Sequence, residues 1–120
     1  MDNSPYQARI KEMPKEERPR ERLELYGARA LSNAELLAIL LRTGSRGESA
    51  VGLATRLLTT LHGLDRVADA SLRELCELSG IGPAKACQIL AAVALGRRAA
   101  LASEDSRPQI GSPHDAANIF

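Results

Sequence analysis

Aromatic side chains are almost missing from this sequence. Tyr6, Tyr26 and Phe120 are all it has, and there is no tryptophan. A core without them must be built from Leu, Ala, Ile and Val, which favours helices packed through small residues over a β-sandwich. Cysteine is scarce as well: Cys76 and Cys87 are too few for a disulfide scaffold. They read instead as small core residues on adjoining helices. With His62 and His114 they show no paired ligand spacing, so no metal site is expected. Long apolar runs are absent too. Even the run Leu36 to Leu41 falls far short of the ~20 residues of a membrane helix. Nothing resembles a secretory signal. These absences predict a cytoplasmic protein with no membrane partner. Nor is there an excess of charge of either sign: sixteen basic residues face fifteen acidic ones, a net charge of +1. Bulk charge therefore announces no polyanionic partner, and any such affinity must come from local geometry.

What is present is apolar and helical in pattern. Apolar residues make up 44% of the 120-residue chain, too many for a disordered one. Thirteen arginines stand against three lysines, Lys11, Lys15 and Lys85. Arginine suits phosphate and carboxylate contacts, although a GC-rich coding bias accounts for the same excess. The reading is one helical domain with tails. A flexible leader covers residues 1–13, a helical domain residues 14–102, and a linker with the start of a truncated second domain residues 103–120.

Punctuation places the helices. Pro19 opens a short, densely charged helix that ends at Gly27, anchored along one edge by Leu23 and Tyr26. Ser32-Asn-Ala-Glu35 is a capping box, in which the serine hydroxyl takes the Glu35 amide and Glu35 reaches back. Its helix runs to about Arg42. Glu35 to Leu41 is apolar nearly all round and must be buried on more than one side. Gly44 and Gly47 then break the chain. Ser49 caps a helix over Ala50 to His62 with Val51, Ala54, Leu57, Leu58 and Leu61 on one stripe, and Gly63 ends it. Leu64 to Ala70 is a connector with room for one helical turn. Ser71-Leu-Arg-Glu74 is a second capping box, with Leu72, Leu75 and Leu78 inward. Pro83 opens a helix to about Ala100, with Ala86, Cys87, Leu90, Val93, Ala94 and Leu95 inward. Ser103 to Ile110 is polar linker. Ser112 opens another helix that stops on Ile119-Phe120, as a chain cut from a longer one would. The expected fold is all-α, a small bundle of about five helices. Each capping box starts a helix–glycine turn–helix unit, which reads as a degenerate internal duplication.

The stretch that carries chemistry is Ser79-Gly-Ile-Gly-Pro-Ala-Lys85. Gly80 can take the left-handed conformation that ends a helix. Ile81 can plug the gap between two helices, and Gly82 leaves no Cβ in a ligand's way. Pro83 gives up an amide that a first turn leaves unpaired anyway. The amides near Ala84 and Lys85 then point out at a helix N-terminus, where the dipole favours an anion. Lys85 adds a mobile positive charge. Phosphate is the ligand this chemistry selects, with no reading of base identity. A tight αα-hairpin with glycines for its turn is the plain alternative. In the first unit Thr43, Gly44, Ser45, Arg46 and Gly47 form a longer loop without the isoleucine plug. Its amides, the Ser45 hydroxyl and Arg46 could meet a second phosphate.

This stretch resembles the helix-hairpin-helix of DNA-binding proteins that ignore sequence. The wider chain is similar to the N-terminal region of the RadC family of bacterial DNA-repair-associated proteins, UPF0758 type. Glu17-Arg-Pro-Arg-Glu-Arg-Leu23, Leu31 to Gly44, Ile81 to Ala86 and Leu95-Gly-Arg-Arg98 carry the likeness. Ile110-Gly-Ser-Pro113 resembles that family's passage into its second domain. The resemblance implies contact with double-stranded or branched DNA through Ser79, Gly80, Ile81, Gly82, Ala84 and Lys85. It also implies a second, JAB/MPN-type domain with zinc-dependent hydrolase chemistry, whose His-x-His and downstream ligands have no counterpart here. This chain is thus expected to hold no catalytic residues, with zinc and its own C-terminal domain as concerns of the longer protein. A monovalent cation on the hairpin carbonyls, as in some hairpin–DNA complexes, has room around Leu78 to Ile81.

Rival functions fare less well. A sequence-specific regulator would read bases from Pro83 to Arg98, where little beyond Lys85 and Gln88 reaches a base edge. A glycosylase would need Lys85 as nucleophile, Glu104 or Asp105 as acid, and an aromatic pocket that is missing. Base stacking on single strands lacks its rings. A protein-docking module, seating the absent JAB/MPN domain or a partner on the Glu35–Leu41 helix and the Phe120 end, is the serious alternative.

Overall fold

The computed structural model describes residues 18–105. Among them are six α-helices and one short 3-10 turn. They are α1 (Pro19–Tyr26), the 3-10 turn (Ala28–Ala30), α2 (Asn33–Leu41), α3 (Ala50–Leu61), α4 (Leu64–Asp69), α5 (Leu72–Cys76) and α6 (Pro83–Asp105). The all-α expectation holds. The expected leader and the helix opening at Ser112 lie outside the described residues. The chain forms two compact units, Met1–Leu90 and Ala91–Phe120, so the division falls inside α6.

Both capping boxes close in the first unit. The Ser32 hydroxyl accepts from the Glu35 amide at 3.1 Å, and the Ser32 amide donates to Glu35 Oε1 at 2.8 Å. The Ser71–Glu74 pair repeats this at 3.1 and 2.8 Å. Helix α2 lies against both α1 and α3, as an all-round apolar helix must. It buries Leu37, Ala38 and Leu41. Arg22 of α1 fastens this corner: its guanidinium meets Glu35 Oε2 at 2.9 Å and donates to the Ala30 carbonyl at 2.7 Å. Tyr26, expected as an anchor, is exposed instead, with the Arg22 guanidinium 5.8 Å from its ring centre.

Several details differ from the sequence reading. Leu53, Ala54 and Leu57 are the wholly buried face of α3, while Val51, Leu58 and Leu61 are half-buried. The left-handed residue that ends α3 is His62 (φ 67°), one before the expected Gly63. The Gly63 amide then reaches back to the Leu58 carbonyl at 2.9 Å, the Schellman closure. The connector after it is a true helix, α4, which buries Val67. Leu75 is the buried residue of α5, and Leu72 faces solvent.

The inward face of α6 is rotated from the expected one. Ala86 and Ile89 are fully buried, whereas Cys87 is exposed and Cys76 half-buried. At about 100° per residue, Ala86, Ile89, Leu90 and Val93 share one face; Cys87 and Ala94 fall on its margin and Leu95 opposite it. The second unit begins within this helix. There Ala94, Leu95 and Leu101 are exposed, and the helix runs to Asp105 past the expected end near Ala100. Ser103 and Glu104 are therefore helical residues rather than linker. No described helix is long and apolar enough to cross a membrane.

Candidate nucleic-acid interface

The hairpin forms as its residues dictate. After α5 the Leu78 amide turns back to the Leu75 carbonyl (3.2 Å), and the Ile81 amide to that of Leu78 (3.0 Å). Gly80 sits at φ 93°, a region that L side chains rarely adopt. Ile81 is 3% exposed, the expected plug. Gly82 is exposed, and a Cβ built on it would find no atom within 4 Å. Pro83 then opens α6, whose first closing bond runs from the Ala86 amide to the Gly82 carbonyl at 3.0 Å. The amides of Ala84 and Lys85 precede it and so have no partner within the helix. They lie at the positive end of its dipole.

The first loop, Arg42 to Ser49, is tightly built. The Thr43 amide bonds the Leu41 carbonyl at 2.7 Å across Arg42, which adopts φ 70° and ψ −44°. That is a γ-turn of the rare, strained hand. A Cβ on Gly44 would overlap the Glu48 carbonyl and the Ser49 backbone. The Glu48 amide closes the loop on the Ser45 carbonyl at 2.9 Å. The Ser45 hydroxyl donates to Glu48 Oε1 at 2.9 Å, so it is not a spare donor for a phosphate as the sequence reading had it. Thr43, Arg46 and Gly47 are exposed.

The two loops, taken separately in the sequence reading, meet. Gly80 packs on Ser45 so closely that a Cβ would stand 2.9 Å from the Ser45 Cβ and 3.2 Å from Leu53 Cδ1. Lys85 Nζ donates to Thr43 Oγ1 at 2.8 Å, so its charge is tethered rather than mobile. Two of the three ammonium hydrogens remain for a ligand. Arg56 of α3 makes the third tie. It forks onto Glu48 at 2.9 and 3.0 Å and donates to the Ser79 carbonyl at 2.7 Å. That fork, more than the Ser45 hydroxyl, holds the Glu48 carboxyl below its ordinary range against the opposing effect of burial. The carboxylate in turn raises the Arg56 pKa. The acid of the first loop is thus neutralised within the protein, leaving Lys85 with the exposed Arg42 and Arg46 as the surplus positive charges of the two loops. Sequence reasoning passed over Arg56 and Glu48, and no spacing signal announces a tie across 23 residues. Among the described residues, no three of His, Cys, Asp and Glu come together as a metal would require.

Fold and site define a class: a small all-α domain with two serine-capped helix–loop–helix units whose loops share one surface. The chain belongs to the UPF0758 N-terminal family, whose model matches residues 10–87. A UPF0758 protein of Bacillus licheniformis is 58% identical over 113 residues, covering 93% of this chain and 50% of that one. One of Moorella thermoacetica is 56% identical over 111 residues, 92% of this chain and 48% of its own. One of Caldanaerobacter subterraneus is 49% identical over 112 residues, 93% and 48% respectively. The chain therefore spans about half the length of the curated relatives it matches. No solved structure matches it.

Proposed function

We propose that this chain binds the sugar-phosphate backbone of double-stranded or branched DNA, without reading sequence. It does so as the DNA-targeting region of a RadC-like, repair-associated cytoplasmic protein. The observation that carries this reading is the open α6 N-terminus. Gly82 has empty space before it, the Ala84 and Lys85 amides lack helical partners, and Lys85 stands alongside. Ser79, Gly80 and Ile81 shape the turn, and Thr43, Arg46 and Gly47 extend the surface. Catalysis, with its zinc, belongs to the remaining half of the longer protein, which is also this domain's partner in the chain.

A titration of labelled duplex against a salt series tests it. Neutralising two phosphates gives a slope of about −1.8 in log K against log salt, roughly tenfold between 50 and 200 mM. Affinity should lie in the ~10⁻⁴ to 10⁻⁶ M non-specific range. Lys85→Glu should weaken binding several-fold and leave the circular-dichroism spectrum unchanged. Identical curves for the two proteins would remove the hairpin from the contact. A docking role is the second reading, favoured by the exposure of Leu95 (67%) and Leu101 (59%). Light scattering separates the two, since a docking face left bare drives self-association.

A further inference from the structure

A phosphate arriving at the α6 N-terminus meets amide hydrogens, but the neighbouring turn presents carbonyl oxygens. A carbonyl oxygen carries partial negative charge, which opposes an anion held nearby. A cation seated on those oxygens would remove the conflict, and Leu78 to Ile81 were expected to have room for a monovalent metal ion. Two of the carbonyls in that stretch are already engaged within the protein. The Leu78 carbonyl already accepts the Ile81 amide at 3.0 Å. The Ser79 carbonyl accepts a guanidinium hydrogen of Arg56 at 2.7 Å. A metal ion on Ser79 would stand against a like charge.

We propose that Arg56 is the built-in cation of the hairpin: a positioning residue whose guanidinium caps the Ser79 carbonyl, so that phosphate binding needs no bound metal ion. Glu48 holds the fork in place through two hydrogen bonds, at 2.9 and 3.0 Å. The pair is neutral as a whole, yet its positive end is the one on the carbonyl. The inference rests on the phosphate-binding reading above, but its cation half is measurable without DNA.

The experiment compares duplex binding at fixed ionic strength in potassium, sodium, lithium and tetramethylammonium chloride. The wild-type affinity should agree within about twofold across the four salts. Arg56→Gln carries no charge, and its amide ends two bonds short of the Nη2 that reaches the Ser79 carbonyl. It should bind at least about tenfold more weakly in tetramethylammonium, the loss of one charge-assisted bond, and recover in potassium. Arg56→Lys should restore indifference to the salt. A several-fold potassium preference in the wild type overturns the proposal. So does an equal loss for Arg56→Gln in every salt, which would make the residue merely structural. A thallium(I) resonance titrated with protein alone reads the cation seat directly. No response to the wild type supports the proposal; broadening by the wild type overturns it, even if duplex binding fails in all salts and takes the DNA reading with it.

Discussion

Replacing Gly80 with alanine should separate the two loops and lower stability sharply. Two costs combine. At φ 93° an L residue is strained, by about 1–2 kcal/mol on the scale of left-handed conformers. The new Cβ would also stand 2.9 Å from the Ser45 Cβ and 3.2 Å from Leu53 Cδ1. Ser45 Cβ is fixed to the backbone of a closed loop and cannot swing aside, so this crowding adds about 1–3 kcal/mol. The sum, at least about 2 kcal/mol, corresponds to a drop in Tm of at least about 8 °C for a domain of this size. Gly82→Ala is the internal control. Gly82 is not among the positive-φ residues, and nothing lies within 4 Å of its Cβ. Its Tm should match the wild type, while duplex affinity falls because the methyl group holds the phosphate away. Thermal unfolding by circular dichroism measures both variants. A Gly80→Ala protein that melts with the wild type, or a Gly82→Ala protein that melts with Gly80→Ala, would refute the reasoning.

Arg42→Gly should relieve the γ-turn for a net gain of about 1 kcal/mol, strain lost minus glycine's added chain entropy, whereas Arg42→Ala gains nothing. Urea unfolding of the pair checks this, and equal midpoints would count against strain at Arg42. Acid should loosen both corners of the fold. The Ser32 amide first, then Arg22, holds the Glu35 carboxyl below its ordinary value near 4.5, and Arg56 does the same for Glu48. Groups depressed on folding lend stability that is complete above that value and is lost as pH falls through the lowered ones. Stability followed from about pH 6 downward should therefore fall less for Glu48→Gln than for the wild type.

Local chemistry was legible in the sequence wherever a residue type serves one purpose. Ser32 with Glu35, and Ser71 with Glu74, name the start of a helix. Gly80, Ile81 and Pro83 each have a single plausible job in a hairpin, and each does it. Legibility failed where the signal is diffuse. Helix α4 has no side-chain cap and spans only Leu64–Asp69, so nothing marks its start. Helix α6 is so rich in alanine that its apolar pattern fits more than one rotation. The structure puts Ile89 in, and Cys87 and Leu95 out. The ties of Arg56 to Ser79 and Lys85 to Thr43 belong to tertiary geometry. A solvated arginine and one clamped between two loops look alike in a string of letters.

Those same ties set a limit on how small a working piece can be. They reach across 23 and 42 positions of the chain. A synthetic peptide from Ser71 to Arg98 would carry every residue of the hairpin motif and still lack Thr43, Ser45 and Arg56. Transplanted onto another scaffold, it would arrive without its braces.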